Sequence, residues 1–433
     1  MREPSLFYQG TLGIIAGTMA YQFMGIGIVP IVTTGVSMAA VAYSIVKPHE
    51  DFKILFRNLG LFARNLDGEE IFPKVLKKKP ISTGHLLILS LPYGLTTIDF
   101  EKVRHRLEQH YDAELEIDYH SKTAIVKVHT IKLPDEVDYI EVKTKPNQWV
   151  AGLRHDGKYE LITFDDTTPH MFCAGMTGWG KTIFADVNLY NANTRFTMDD
   201  VEYWLIDLKG GTGFGPFENA RLTKVFCDDV YDAGRVLHSL KQVTDERIII
   251  RKNKRYATQD FKPIFCVIDE YPDLIDFNDD AFKVLVYIAR KARAANIHLI
   301  ITTQRASREY LPGVLKCNLA ATMCFGCKTD ADSEVILGKG DVSGVLIRNK
   351  GRAILDTPST RITVQVPYIP EKNLDELLVP YLGVREDADT AGLYAFGAYP
   401  ESQSDYSETG QLIVMPQGKA KRNYRKKKVK TDI

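Results

Sequence analysis

The sequence predicts an α/β chain: a phosphate-loop domain built on a largely parallel sheet, a small β-α-β-β unit ahead of it, and an apolar helical hairpin at the N-terminus. Three observations carry this expectation. Strand-length apolar runs alternate with helix-period segments from Val150 to Pro370. One of these runs enters a glycine-rich turn of fixed spacing at Gly175. The stretch from Leu6 to Val46 contains no Asp, Glu, Lys or Arg.

The uncharged stretch comes first. One helix across a bilayer needs about 20 apolar residues, and this run is roughly twice as long. Gly25, Gly27 and Pro30 lie near its middle, where a reversal needs permissive backbone and a helix stop. Two membrane helices are therefore expected, over 7–25 and 29–46, making residues 1–46 a transmembrane hairpin. A buried soluble hairpin would keep a polar face, which this run lacks. A cleaved leader would have a shorter apolar region. Lys47, Lys53, Arg57, Arg64, Lys77, Lys78 and Lys79 follow the run. By the positive-inside rule they put the downstream chain in the cytoplasm, and two spans return the N-terminus there as well.

Residues 47–80 read as an amphipathic connector, with Phe52, Leu55, Phe56, Leu59 and Phe62 at helical spacing and basic residues between them. Such a face suits either lipid headgroups or the surface of the next domain. A small α/β domain is expected over 81–145. It comprises an apolar run at His85–Leu91, a Pro92-Tyr93-Gly94 turn, a helical stretch at Phe100–His110 and alternating runs at Ala113–Tyr119 and Thr123–His129.

The phosphate-loop domain spans 146–370. At its start a short apolar strand runs into Gly175-Met176-Thr177-Gly178-Trp179-Gly180-Lys181-Thr182, which fits the eight-residue phosphate loop at every fixed position. Gly175, Gly178 and Gly180 let backbone N–H groups, with that of Thr177 among them, turn toward the phosphates of ATP. Lys181 supplies a positive charge, and Thr182 offers a hydroxyl to Mg²⁺. A second strand, Phe265-Cys266-Val267-Ile268, ends in Asp269-Glu270. Asp269 is the expected metal-side carboxylate, and Glu270 the base that orients and deprotonates water. A third strand, Ile297–Thr303, delivers Gln304 to the strand-end edge where open parallel sheets bind ligands.

Composition bounds the remainder. Lys plus Arg number 55 against 55 Asp plus Glu in 433 residues, and 45% of residues are hydrophobic, which excludes a wholly disordered chain or a disulfide-held miniprotein. The neutral total says nothing about partners, because charge is absent near the start and strongly basic over Lys419–Lys430. Residues 371–433 form a low-order tail, its basic end suited to nucleic acid or anionic lipid. The six cysteines lie from Cys173 onward, several inside apolar runs, as buried thiols do in a reducing cytosol. Cys324 and Cys327 lack the second Cys/His pair that a four-ligand structural zinc site needs, and read as buried strand.

Together the phosphate loop, Trp204-Leu205-Ile206-Asp207-Leu208-Lys209, the Asp269-Glu270 strand and Lys291–Leu299 leading into Thr303-Gln304-Arg305 resemble the FtsK/SpoIIIE ATPases. Asp332-Ser333, Ile336-Leu337-Gly338 and Gly340-Asp341 extend the resemblance. It covers Val150 to about Asp356 and implies a RecA-like motor that forms a homohexameric ring and drives DNA through its pore. It also implies that Arg293 acts as an arginine finger on a neighbour's nucleotide, with Arg290 and Arg305 as competitors, and that Asp207 and Lys209 lie near the nucleotide. Two spans, one small α/β domain, one motor and a short tail look most like the TcpA-like coupling proteins of conjugative elements. That layout implies a bacterial cell membrane location with the motor in the cytoplasm, and relaxase and secretion-channel proteins as partners. A chromosome or plasmid partition translocase and a protein-secretion ATPase are the alternatives, with a non-enzymatic nucleotide-gated scaffold a further one.

Overall fold

A computed structural model of the chain describes residues 52–120, 122–254 and 258–383. The expected membrane hairpin and the basic tail lie outside these residues. Among the described residues, no helix is long and apolar enough to cross a membrane.

The small domain is a four-stranded antiparallel sheet. Its strands are β3 (Lys74–Ile81), β4 (Gly84–Ser90), β5 (Glu114–His120) and β6 (Thr123–His129), in the order β3-β4-β6-β5. They follow β1 (Ala63–Arg64) and β2 (Glu70–Ile71), a minimal antiparallel pair. Leu87, Leu89, Leu115, Ile117, Val126 and Val128 bury one face under Phe100 and Leu107, which come from helices Thr97–Lys102 and Arg104–Tyr111. The stretch read as one helix is thus two, with the break at Val103.

The connector differs from its sequence reading. Among the described residues of the connector only Phe52–Leu59 is helical, and its apolar side packs into the small domain, Phe56 meeting Phe100 edge-on at 6.1 Å between ring centroids. Lys74–Ile81 is an additional edge strand. It lacks the alternation that announces a strand because nearly all of it is exposed. Lysines, a register irregularity between Val75 and Lys77, and Pro80 are the features with which sheet edges resist further pairing.

The large sheet has ten strands: β7 (Gln148–Leu153), β8 (Tyr159–Thr163), β9 (Met171–Ala174), β10 (Glu202–Asp207), β11 (Thr223–Cys227), β12 (Ile264–Asp269), β13 (Ile297–Thr303), β14 (Ala321–Phe325), β15 (Arg352–Asp356) and β16 (Arg361–Gln365). Their order is β11-β10-β12-β13-β9-β14-β15-β16-β7-β8. The six strands from β11 to β14 are parallel and the rest antiparallel. β9, β12 and β13 are buried at every residue, since helices cover both faces of a parallel sheet and no position can be polar without a partner. Trp149, Phe164, Phe184 and Phe265 form an aromatic centre in this core.

Beyond Pro370, where the sequence loses its periodicity, a helix continues over Glu371–Leu378 and buries Leu374 and Leu378 in the same core. The parallel alignment has one consequence for function. It carries the ends of β9, β10, β12 and β13 to a single edge, with Asp207 paired to Asp269 and Thr303 to Ala174 in register.

Candidate active site

The phosphate loop leaves β9 at Gly175 and enters the helix Lys181–Arg195. Gly175 (φ +148°) lies so close to β14 that a Cβ would stand 2.7 Å from that of Phe325. Gly180 (φ +110°) turns the chain into the helix. The loop is hung at both shoulders: Met176 N–H donates to the Gly326 carbonyl (2.8 Å), and Gly351 N–H to the Trp179 carbonyl (3.0 Å). The Trp179 ring lies over Gly326, where no larger residue fits without moving it.

Lys181 is 5% exposed and folds back over the loop, its Nζ donating to the carbonyls of Gly175 (2.7 Å) and Met176 (2.8 Å). An ammonium so placed is available to phosphate oxygens in exchange for carbonyls. Burial, reinforced by the Lys209 ammonium, lowers its pKa to about 8. Thr182 occupies the next position of the helix's first turn.

Asp269 and Glu270 end β12 opposite this loop. Asp269, 2% exposed, accepts from the Thr302 hydroxyl and from Lys209 Nζ at 2.7 Å. Glu270 sits in the left-handed region at φ +55°. There Glu270 Oε1 accepts from the Thr303 hydroxyl at 3.1 Å, and both carboxylate oxygens accept from the Gln304 backbone N–H at 3.2–3.3 Å. A non-glycine residue held in this conformation marks a place where surrounding bonds over-determine the backbone. Burial raises the pKa of Glu270, and the Lys209 ammonium at 3.7 Å acts against that rise. The Gln304 side chain reaches back to the phosphate loop, its carbonyl accepting from the Thr177 hydroxyl.

The structure therefore brings Gly175, Thr177, Lys181, Asp269, Glu270, Gln304 and Lys209 to one sheet edge. Asp207 ends β10 next to Asp269. It is fully buried and its carboxylate accepts from the N–H groups of Lys209 (3.2 Å), Gly213 (2.7 Å) and Phe214 (2.8 Å). It anchors the loop that carries Lys209, beside Asp269 at the same edge of the sheet. Arg293 lies at the other end of β13, on the turn before the strand starts, exposed and donating to the Asp166 carbonyl at 3.2 Å. It is remote from its own chain's phosphate loop. Arg305 is exposed and pairs with Asp276 at 3.1 Å. Arg290 is exposed on the helix Asp279–Lys291.

Sequence reasoning missed Thr302 and Thr303, which orient the two acids, and Gly326, which seats Trp179. Their roles depend on neighbouring strands. The donor set fits Mg²⁺: the Asp269 carboxylate and the Thr182 hydroxyl are oxygen ligands, and the Lys209 ammonium beside Asp269 already balances its negative charge. Thr182 and Asp269 are the residues that would hold it.

A mixed α/β fold with a large parallel sheet, a phosphate loop and paired acids on an adjacent strand end is the arrangement of a P-loop ATPase. Over the corresponding segment the chain resembles the FtsK DNA translocases. It is 29% identical over 217 residues to the DNA translocase FtsK of Corynebacterium efficiens, covering 44% of this chain and 23% of that protein. It is 26% identical over 268 residues to the DNA translocase FtsK of Caldanaerobacter subterraneus, covering 58% and 37%. The chain thus spans well under half the length of these curated relatives. No family profile matches it. Among solved structures it is similar to the pCW3 conjugation coupling protein TcpA in its monomer form with ATPγS. The TM-score is 0.50 with 18% identity, over 76% of this chain and 97% of that one. It is also similar to the cytoplasmic domain of the Thermomonospora curvata type VII secretion ATPase EccC, with a TM-score of 0.50 and 18% identity, over 58% and 33%. At these identities the two structures establish the fold alone.

Proposed function

We propose that the chain is a membrane-anchored DNA translocase driven by Mg-ATP hydrolysis, and that it works as a homohexameric ring of RecA-like motors. We further propose that it is the coupling protein that delivers DNA and a relaxase to a conjugative secretion channel. The observation that carries the enzymatic reading is Glu270: a buried carboxylate, held by Thr303 and Gln304 on the same edge as the phosphate loop, is equipped to take a proton from water. Lys181 and the loop amides hold the phosphates, and Gln304 links the loop to the base. Mg²⁺, when bound by Thr182 and Asp269, offsets phosphate charge.

DNA as the substrate is supported by the FtsK relatives. The coupling role is supported by the fold shared with nearly the whole TcpA chain and by the single phosphate loop. The uncharged stretch Leu6–Val46 supports an anchor in a bacterial cell membrane, and the basic residues after it support a cytoplasmic motor. Arg293, remote from its own loop and exposed, is free to complete a neighbouring subunit's site.

A protein-secretion ATPase is the second reading, favoured by the equal TM-score of EccC. Comparing ATP hydrolysis by the full chain with duplex DNA, single-stranded DNA and small helical secreted proteins separates the two. Stimulation by DNA supports the first reading, and stimulation by protein alone overturns it.

A further inference from the structure

Three side chains outside the phosphate-loop edge converge in the interior, where the small domain meets the large sheet. They are Glu116 on β5, His129 on β6 and His155 on the hairpin turn between β7 and β8. We propose that these three bind one divalent transition ion of the zinc class, and that the ion fastens the small domain to the large sheet.

The first ground is unsatisfied chemistry. Glu116, His129 and His155 are 7%, 5% and 7% exposed. His129 Nε2 and His155 Nδ1 are both buried without a hydrogen-bond partner. Buried ring nitrogens ordinarily have a well-aligned hydrogen bond, and here two in one place lack it and share one carboxylate. Both lie beside the same carboxylate oxygen, Glu116 Oε1, His129 Nε2 at 3.3 Å and His155 Nδ1 at 4.0 Å. The three potential ligand atoms are all within 4.8 Å of one another. With metal–ligand bonds of about 2.0–2.2 Å, a tetrahedral site sets its ligand atoms about 3.4 Å apart, so the present triangle needs only a small contraction.

The second ground is the ring of supports around the triad. Each nitrogen that would not face the ion is already engaged: His129 Nδ1 with Thr83 Oγ1 at 2.7 Å, and His155 Nε2 with Glu114 Oε2 at 2.8 Å. The far oxygen of Glu116 accepts from Lys127 at 2.9 Å. Such contacts fix ligand orientation and tautomer in metal sites. The two imidazoles are stacked, with centroids 4.1 Å apart and planes 11° from parallel. In-plane coordination by both therefore requires one ring to turn about its Cβ–Cγ bond as the ion enters.

The location suggests what the ion does. Glu114, the support of His155, also accepts from Arg352 of β15 at 2.8 Å, and Arg352 donates to Leu133 and Pro134 carbonyls in the segment joining the two domains. An ion held by β5, β6 and the β7–β8 turn closes this network. The inference is independent of the ATPase reading.

The test uses the full-length chain in detergent, stripped of metal and titrated with Co²⁺ as a spectroscopic probe in nucleotide-free, Mg²⁺-free buffer at pH 7.5. The expected result is one Co²⁺ per chain with the intense visible bands of a four-coordinate nitrogen/oxygen site, displaced by one equivalent of Zn²⁺, and a rise in Tm when Zn²⁺ is added. His155→Asn and Glu116→Gln should abolish the bands. Glu114→Gln, a change in a supporting residue, should weaken Co²⁺ binding by about 10–100-fold. Absence of the bands in the wild-type chain overturns the proposal whether or not the variants fold. So does an undiminished signal in folded His155→Asn, which would assign the ion to other groups.

Discussion

Replacing Gly326 by Ala tests whether the phosphate loop is seated by β14 and the segment after it. A Cβ at this position would stand 2.8 Å from Trp179 Cδ2 and closer to the neighbouring ring atoms, where 3.4–4 Å is ordinary contact. The indole must therefore retreat by about 1 Å, and the loop follows because the Trp179 carbonyl is bonded to Gly351 and Met176 to Gly326 itself. Overpacking costs about 1–3 kcal/mol in a closed core. Trp179 is only partly buried, so the lower end of that range, about 1 kcal/mol, is expected, a fall in Tm of about 2–4 °C for a domain of this size. Function should suffer far more, since misplacing catalytic groups by about 1 Å costs about 100-fold. Calorimetry and steady-state ATPase kinetics on wild type, Gly326→Ala and Gly84→Ala make the comparison. Gly84 serves as the control because its added Cβ clashes with the backbone of Val128 and Thr130 in the small domain, away from the loop. Wild-type kcat/KM in Gly326→Ala at a lowered Tm would refute the reasoning.

Further outcomes follow from the same geometry. Burial raises the Glu270 pKa, so the acid limb of kcat/KM should lie above the usual carboxylate range of about 4.3, and Lys209→Met should move it to higher pH by removing the ammonium that opposes the rise. The same shift has a stability sign. A carboxyl raised on folding stabilises the native chain at acid pH and loses that contribution as pH climbs through its folded value, so Glu270→Gln should melt higher than wild type at pH 8 and alike at pH 4. The Lys181 ammonium, lowered to about 8, should give kcat/KM an alkaline limb near that value, absent in Lys181→Arg. If Arg293 acts between subunits, mixing Arg293→Ala with Lys181→Ala chains should restore part of the ATPase activity that each lacks, and no recovery in demonstrated mixed rings would argue against it.

What the sequence revealed and what it hid divide along the range of the contacts involved. The phosphate loop, the Asp269-Glu270 strand end and Gln304 were legible because each is a short motif attached to an apolar strand, and parallel strands deliver such ends to one edge. The β4 strand was legible as an apolar run, and β5 and β6 from alternation. β3 was not, since an exposed lysine-rich edge strand has no buried face to pattern it. The resemblance set Asp207 near the nucleotide, but not the bonds by which its carboxylate holds the loop that follows it. The seating of Trp179 on Gly326, the threonines behind the two acids and the pairing of His155 with Glu114 join residues far apart in sequence. No local spacing announces them.

The measurement that bears most directly on the account is displacement of a third strand from triplex-bearing duplex DNA by the full-length chain. ATP, Mg²⁺ and duplex flanking the triplex should together give displacement, and Glu270→Gln, which retains nucleotide binding, should give none. Displacement that is equal without ATP hydrolysis, or an active ATPase that never displaces the third strand whatever duplex is supplied, would contradict the assignment of this chain as a DNA motor.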